Sequence, residues 1–370
     1  MRKPVHILQV FPSFTPGGAQ VRFTRLANAF GPDFSYTILA MDGKFDASSL
    51  LNPSIPVKLI KPATQSFPQS VFGIRRNVTS LRPDLTVTNN WGSMDAVLAS
   101  WTAHLCPTIH SEDGFGSDEA AKLKLRRVLF RRALLNRVYS TVVPSKTLLR
   151  IAKDQYRLSE DKVTFIPNGI DIQKHDPYRR REARQSLNVD DQTVIIGFVG
   201  HLRPEKALHI LIRAFAQAQL PNARLVLVGD GPCRSDLNNL VAELEIQARV
   251  FFIGHTSKPQ TYMGAFDILA MSSSTEQMPM AILEAMAFGL PVVATDVGDC
   301  ADMLGTRDPR IIVPYGNIRA YTHALKSLSE QPEHRQHLGA QNRKRCIDEY
   351  SFEKMTKAWA ALYERALRWR

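Results

Sequence analysis

The sequence predicts an α/β protein with two doubly wound parallel sheets, each covered by helices. Strand-like and helix-like segments alternate from one end of the chain to the other, which disfavours a sandwich or a helical bundle. The 370 residues are enough for two domains that each bury a core. A composition of 44% hydrophobic and 22% charged residues is ordinary for a globular protein and excludes a disordered chain or a fibre.

Short apolar stretches predict the strands. In the first half these are Val5–Phe11, Ser35–Ala40, Val57–Ile60, Leu85–Thr88, Thr108–His110, Thr141–Val143 and Val163–Ile166. In the second half they are Val194–Val199, Arg224–Val228, Val250–Ile253, Ile268–Met271 and Pro291–Ala294. Amphipathic stretches between them predict the covering helices.

A polar segment over residues 168–192 separates the two halves. It contains Asn-Gly at 168–169 and three successive arginines at 179–181, and it interrupts the apolar periodicity. We predict an N-terminal domain over 1–170 and a C-terminal domain over 171–350. Residues 351–370 have apolar side chains at helical spacing, and we expect this helix to pack back on the first domain.

Cysteine usage and hydropathy predict the compartment. The 4 cysteines are widely spaced and form no C-x-x-C pair, which favours a reducing, cytoplasmic setting and predicts no metal site. The apolar stretch near the N-terminus is broken by polar residues, so we expect a first strand and no signal peptide. No apolar run approaches the roughly 18 to 20 residues that span a bilayer, so we expect a soluble or peripheral protein.

The net charge of +12 predicts an anionic partner. Between residues 122 and 137, seven lysines and arginines alternate with apolar residues, and no acid is present. This pattern is typical of a helix that lies on an anionic membrane surface, and it equally fits a helix whose basic face is solvated and whose apolar side is core. Nucleic acid is not expected as a partner, because no nucleic-acid motif accompanies the charge and aromatic residues are sparse.

Two loops that follow strands are candidates for phosphate binding, since ligands of doubly wound sheets bind outside the carboxyl ends of strands. Gly17 and Gly18 precede the first helix, where backbone N–H groups can approach a phosphate, although from the residues alone a plain turn is the default interpretation. After the strand Val194–Val199, Arg203 and Lys206 can grip a diphosphate, the first as a fork and the second as a point charge.

Two carboxylates near Pro279 complete the candidate ligand set. Glu284 is the single charged residue of an otherwise apolar helix that Pro279 opens and Gly289 ends. A carboxylate there must reach solvent or accept hydrogen bonds, and one carboxylate can accept both hydroxyls of a vicinal diol such as a ribose. Glu276 lies just before this helix and would stand at the mouth of the same pocket.

The chain resembles the retaining glycosyltransferases of family 4, also described as glycosyl transferases group 1, which have the GT-B fold. Glu276 and Glu284 form an E-x7-E pair, and residues 284–295 read EAMAFGLPVVAT. Residues 200–206 read GHLRPEK, 229–232 read GDGP and 166–171 read IPNGID. The resemblance covers nearly the whole chain and is densest in the second half.

The resemblance implies two Rossmann-like domains that face an interdomain cleft, with a nucleotide-diphosphate sugar held mainly by the second domain. Glu284 would bind the ribose, Arg203 and Lys206 the diphosphate, and Glu276 the transferred sugar. Gly17 and Gly18 would close over the phosphates. Gly254 and His255 would line the base, and His110 would be a polar residue on the acceptor side, although a histidine at a strand end is also often structural.

The resemblance also implies a mechanism. The anomeric configuration would be retained through a front-face displacement, in which the leaving phosphate helps to deprotonate the acceptor hydroxyl. The chain contains no D-x-D triplet, so Arg203 and Lys206 would replace a metal ion in stabilising the charge of the leaving group, and no cofactor is expected. Gln277, Asp299 and Asp302 depart from the pattern of the family, which leaves the transferred sugar open.

Several alternatives stay open at this point. A lipid-linked saccharide, a lipopolysaccharide core or a glycolipid at the inner face of the cytoplasmic membrane is the leading acceptor hypothesis, and a soluble saccharide is the other. Trp91 offers a face for a sugar ring or packs on the core. A sugar-nucleotide epimerase or a catalytically silent binding protein on the same fold would conflict with the combination of Arg203, Lys206, Glu276 and Glu284.

Overall fold

The computed structural model describes residues 3–64, 66–115, 119, 123–175 and 180–369. The chain divides into two compact units. The first comprises Met1–Asn168 together with Met355–Arg370, and the second comprises Gly169–Lys354. The boundaries at Asn168 and Lys354 lie within a few residues of the predicted domain limits at 170 and 350.

The first unit contains a seven-stranded parallel sheet in the order β3-β2-β1-β4-β5-β6-β7. Its strands are β1 (Val5–Phe11), β2 (Phe34–Ala40), β3 (Val57–Ile60), β4 (Leu85–Asn89), β5 (Thr108–Ser111), β6 (Ser140–Val143) and β7 (Val163–Phe165). All residues of the central strands β4 and β5 are buried, as expected for a sheet covered on both faces.

Helices cover both faces of this sheet. They are α1 (Gly18–Phe30), α2 (Gln69–Leu81), α3 (Met94–Ala103), α4 (Leu125–Leu135), α5 (Lys146–Asp154) and, at the end of the chain, α14 (Phe352–Arg368). Tyr363 of α14 packs its ring against Phe30 and Phe34, with centroids 5.8 and 6.3 Å away, so the last helix belongs to the first unit from Met355 onward.

The second unit contains a six-stranded parallel sheet in the order β10-β9-β8-β11-β12-β13. Its strands are β8 (Val194–Val199), β9 (Ala223–Val228), β10 (Val250–Gly254), β11 (Ile268–Met271), β12 (Val292–Thr295) and β13 (Ile312–Val313). The doubly wound α/β class predicted from the sequence is confirmed for both units. β13, with two residues, is too short to produce a sequence pattern and was not predicted.

The helices of the second unit are α6 (Arg180–Ser186), α7 (Leu208–Ala218), α8 (Arg234–Glu243), α9 (Pro259–Met263), α10 (Met280–Phe288), α11 (Cys300–Leu304), α12 (Ile318–Glu330) and α13 (Pro332–Glu349). The buried Arg184 fixes α6 to the sheet, because its guanidinium donates to Asp267 at 3.1 Å and to the carbonyl of Ala265 at 3.2 Å. Along the described residues, no helix combines the length and the apolar character needed to cross a bilayer.

Candidate functional site

The loops at the carboxyl edge of the second sheet are joined to one another by backbone hydrogen bonds. The amide of Gly200 donates to Val228 at 3.0 Å, and that of Gly229 donates to Gly254 at 2.9 Å. The amide of Ser274 donates to the carbonyl of Glu205 at 2.8 Å. The loops after β8, β9, β10 and β11 therefore form one connected edge.

Two glycines allow these loops to approach closely. At Gly229, where φ is +136°, an added Cβ would lie 1.9 Å from the carbonyl oxygen of Gly200. At Gly298, where φ is +55°, it would lie 2.0 Å from the carbonyl oxygen of Glu276. Only glycine fits both the space and the backbone conformation, so these positions set the shape of the edge.

Lys206 and Glu276 form an ion pair at this edge although 70 residues separate them. The ammonium Nζ lies 2.5 Å from Oε1 of Glu276, and the same oxygen accepts a hydrogen bond from the hydroxyl of Ser273 at 2.7 Å. The side chains are only 20% and 10% exposed. The pair holds one cation and one anion in fixed positions beside the loop.

Arg203 has a different environment. It immediately precedes a 3-10 turn over Pro204–Lys206, and its side chain is 56% exposed. Its nearest acid is Glu205, whose Oε1 lies 4.0 Å away, too far for a hydrogen bond. The guanidinium therefore keeps its donors largely available to a ligand.

The remaining donor-side predictions lie on the same unit. Glu284 is half-buried on α10, among residues that are mostly fully buried. Gly254 ends β10 with φ at +85°, and an added Cβ there would lie 3.4 Å from Nη1 of Arg234. His255 follows it and is exposed.

In the first unit, Gly17 and Gly18 lie at the N-terminus of α1 and are exposed. Gly17 has an extended backbone, and an added Cβ would lie 2.8 Å from the side-chain oxygen of Gln20. Gly18 has open space around the position of a Cβ. The exposed backbone at the start of a helix of 13 residues is accessible to an anion.

Arg22, which no pattern in the sequence singles out, connects α1 to the end of β5. Its guanidinium forms an ion pair with Asp113 and donates to the hydroxyl of Ser111 at 3.0 Å and the amide oxygen of Asn168 at 2.9 Å. The guanidinium also lies over the ring of Trp359 of α14, with its carbon 5.8 Å from the ring centroid. The partners are distant in sequence, so no local pattern indicates this role.

His110 is completely buried on β5. Nδ1 lies 2.8 Å from the hydroxyl of Thr88, and Nε2 lies 3.7 Å from Oε2 of Glu112. Within the described part of the chain, Nε2 has no hydrogen-bond partner, and neither has Oε1 of Glu112. The acceptor-side role of His110 stays a prediction, and this position gives the ring no exposure to solvent.

Glu112 belongs to a buried charge cluster with Arg131 of α4 and Glu119. Arg131 Nε donates to Glu112 at 2.9 Å, and its Nη1 lies 3.3 Å from Glu119 Oε2. Arg127 donates to the same oxygen of Glu119 at 2.9 Å. Burial acts to lower the pKa of Arg131, but the charge of Glu112 raises it on balance, so the guanidinium stays protonated.

This cluster corrects one interpretation of the basic stretch over 122–137. Arg131 is fully buried, whereas Leu125 and Leu129 are 71% and 53% exposed, so the cations do not form one solvated face over an apolar core. The physical reason is that the two acids and the rings around Arg131 compensate its desolvation. Lys122 lies outside the described residues.

Trp91 packs against this basic helix. The guanidinium carbons of Arg127 and Arg131 each lie 4.9 Å from its ring centroid, and Phe130 contacts it at 5.8 Å between centroids. Of the two interpretations of Trp91, packing therefore describes its contacts with α4.

Comparisons with known proteins agree with this architecture. Residues 179–345 match the family of glycosyl transferases group 1, and residues 16–174 match Glycosyltransferase Family 4. A D-inositol 3-phosphate glycosyltransferase of Stackebrandtia nassauensis is 32% identical over 203 residues, which cover 50% of this chain and 45% of the relative. The chain spans about half the length of the first curated relatives it matches.

Solved structures show the same fold. HepE from Anabaena, in complex with UDP and glucose, has a TM-score of 0.84 at 22% identity, covering 98% of this chain and 100% of its own. WaaG, a glycosyltransferase involved in lipopolysaccharide biosynthesis, has a TM-score of 0.73 at 18% identity, covering 95% of this chain and 98% of its own. The chain therefore belongs to the glycosyltransferases of family 4 and group 1, with two Rossmann-like domains of the GT-B type.

Proposed function

We propose that this chain moves a sugar from a nucleotide-diphosphate sugar to a saccharide or lipid-linked acceptor, with retention of configuration and without a metal ion. The observation that carries the proposal is the placement of Arg203 and Lys206 on the turn after β8, at the carboxyl edge of the second sheet. Their charges suit a diphosphate, which is the leaving group of such a reaction.

The leaving diphosphate gains negative charge as the glycosidic bond breaks. Arg203, with its donors available, would bind the phosphate oxygens as a fork, and Lys206 would add a point charge. Glu276 keeps Lys206 in position before a donor arrives. A cation that is already oriented stabilises the transition state without reorganisation.

The other predicted residues complete the donor site of this proposal. Glu284 would accept the ribose hydroxyls, and Gly254 and His255 would line the base. The carboxylate of Glu276 would lie beside the transferred sugar. The complex of HepE with UDP and glucose supports testing uridine nucleotides first.

The exposed face of α4 supports a lipid-linked acceptor. Leu125 and Leu129 lie one turn apart and are largely exposed, and the exposed Arg126 lies beside them. Apolar side chains next to a cation suit the interface of an anionic membrane. Together with the similarity to WaaG, this favours an acceptor such as a lipopolysaccharide core or glycolipid and a peripheral position at the inner face of the cytoplasmic membrane.

The experiment is ligand-induced thermal stabilisation with UDP-, GDP- and ADP-sugars in EDTA, followed by turnover of the sugar nucleotide that binds. One base should raise the melting temperature, because binding to the native state stabilises it. Glu284→Gln should lose turnover and keep its fold, and Glu243→Gln, an exposed acid of α8, is the matched control. Absence of stabilisation by any nucleotide at millimolar concentration would overturn the proposal.

A further inference from the structure

A cavity of about 610 Å³ opens at the carboxyl edge of the first sheet. Its walls come from the residues after β1, β2 and β4, from the segment before α2 and from α4. This is the edge at which parallel α/β sheets bind ligands, and the volume is that of an ordinary small-molecule site. The cavity lies within the first unit, and one of its walls is α4, the helix whose exposed face supports a lipid-linked acceptor in the proposed function.

The walls of this cavity are largely apolar and aromatic. Phe67, Trp91 and Phe130 contribute rings, and Met41 and Met94 contribute flexible thioethers. The side chain of Phe67 is 61% exposed, so it stands at the opening rather than in the core. Such a surface favours a ligand with an apolar face or chain.

Two carboxylates also line the cavity, those of Asp42 and Asp95. Asp42 accepts one hydrogen bond, from the backbone amide of Lys44 at 3.0 Å, and Asp95 accepts one from the hydroxyl of Ser70. Asp95 lies in the first turn of α3, where the helix dipole favours a negative charge. Each carboxylate has further acceptor sites for the hydroxyl or ammonium donors of a ligand.

Cations are poorly placed to bind a phosphate here. Arg126 is the one cation among the described lining residues, and it is exposed. The neighbouring Arg127 and Arg131 are paired with Glu119 and stacked on the Trp91 ring. Among the described lining residues, a phosphorylated group in this cavity would meet two carboxylates and one available guanidinium.

We infer that the acceptor is an amphiphilic saccharide that presents hydroxyl or ammonium donors to Asp42 and Asp95, has an apolar portion against the aromatic walls, and carries no phosphate at the reacting sugar. The inference rests on the proposed function and narrows its acceptor. It departs from the relative named as a D-inositol 3-phosphate glycosyltransferase, whose acceptor carries a phosphate.

The test is direct binding of three matched probes by calorimetry. They are hexyl β-D-glucopyranoside, its 2-amino-2-deoxy analogue and its 6-phosphate. We expect the amino compound to bind most tightly and the 6-phosphate to bind at least about tenfold more weakly than the neutral glycoside, because of like charge near Asp42 and Asp95. Tighter binding of the 6-phosphate, or no measurable binding of the neutral glycoside, would overturn the inference.

Two matched pairs of variants assign any binding to this cavity. Asp95→Asn should lower the ratio of the affinities for the amino compound and the neutral glycoside by about tenfold. Asp46→Asn, which changes an exposed acid outside the cavity, should leave this ratio unchanged. Phe67→Ala should weaken the binding of hexyl glycosides but not that of methyl glycosides. Phe72→Ala, which changes a similarly exposed phenylalanine outside the cavity, should weaken the binding of neither. Equal effects within either pair would place binding elsewhere and overturn the inference.

A nucleotide titration of the same preparations separates the two proposals. If nucleotides bind and the 6-phosphate is preferred, the acceptor inference fails alone. If no nucleotide binds, the proposed function fails. The order of the affinities for the three probes still shows which ligand chemistry the cavity prefers.

Discussion

Two groups of cations in this chain have opposite environments. On α4 of the first unit, Arg131 is buried and bound by Glu112 and Glu119. On the turn after β8 of the second unit, Arg203 is 56% exposed, and its nearest acid is 4.0 Å away. The first cation stabilises a fold and the second is available to an anion, although both groups are basic in the sequence.

Acids that are distant in the chain therefore determine what a basic residue does. Arg131 has two carboxylates and three aromatic rings around it, which together offset its desolvation. The environment of Lys206 lies between those of Arg131 and Arg203, since Lys206 is paired with Glu276 and its side chain stays partly exposed.

Arg131→Met should cause the largest loss of stability. It leaves Glu112 buried without its guanidinium and removes one of the two guanidinium partners of Glu119, which costs about 3 to 5 kcal/mol. Urea unfolding followed by fluorescence measures it, with Arg126→Met, an exposed cation of the same helix, expected to change the free energy of unfolding by less than about 0.5 kcal/mol. Similar free energies for both variants would contradict the structural role of Arg131.

Glu276→Gln should separate turnover from nucleotide binding. Removal of the carboxylate frees Lys206, so we expect free nucleoside diphosphate to bind as tightly as in the wild type or more tightly. Transfer should fall by about 10²-fold because Lys206 loses its fixed position and the sugar loses its neighbour. Calorimetry and a nucleotide-release assay measure the two quantities, and loss of both together would show that Glu276 acts mainly through the fold.

Substituting both exposed leucines of α4 should weaken membrane binding. Leu125→Ser with Leu129→Ser removes apolar area that would enter the headgroup region, for an expected loss of about 2 kcal/mol in binding to phosphatidylglycerol vesicles. Stability should change little, because both side chains are exposed. Vesicle co-sedimentation measures the effect, with Leu50→Ser and Leu59→Ser as the control pair of exposed leucines. Equal binding by both double variants would exclude α4 as the contact.

The smallest effect concerns pH. Burial acts to raise the pKa of Glu119, but hydrogen bonds from Arg127 and the Lys124 amide, with the charge of Arg131, lower it on balance. The lowered pKa contributes stability above the ordinary glutamate pKa of about 4.3, and this is lost as the pH falls through the folded-state value. The carboxylate of Glu119 should therefore stabilise the fold fully at neutral pH and progressively less in acid.

Unfolding free energies between pH 3 and 7 check this sign. The difference in the free energy of unfolding between the wild type and Glu119→Gln should decrease toward pH 3. The corresponding difference for Glu353→Gln, which changes an exposed acid of α14, should stay near zero throughout. If the difference for Glu119→Gln instead increases in acid, the fold favours the protonated form of the Glu119 carboxyl group, which would contradict the prediction.

Most of the fold was predictable because buried parallel strands are short apolar runs. β1, β3, β8 and β11 have the predicted bounds, and the other predicted strands differ by one residue at an end, β12 at both ends. The exception, β13, contributes only Ile312 and Val313 to the sheet edge.

The site was predictable only as far as its residues carry local signals. The turn with Arg203 and Lys206 follows a clear strand, so its position at the sheet edge was expected. The pairing of Lys206 with Glu276 joins residues 70 apart, and Arg22 joins Asp113 and Asn168 across most of the first unit. Such contacts depend on how elements pack, and no spacing in the sequence indicates them.

The central claim is that the turn after β8 binds a diphosphate. The most direct measurement is calorimetric titration, in EDTA, of UDP, GDP and ADP and of their monophosphates against the wild type and Arg203→Ala. We predict that one diphosphate binds at least about tenfold more tightly than its monophosphate and that this ratio approaches one in Arg203→Ala. A monophosphate that binds as tightly as its diphosphate, or a ratio unchanged by Arg203→Ala, would contradict the account.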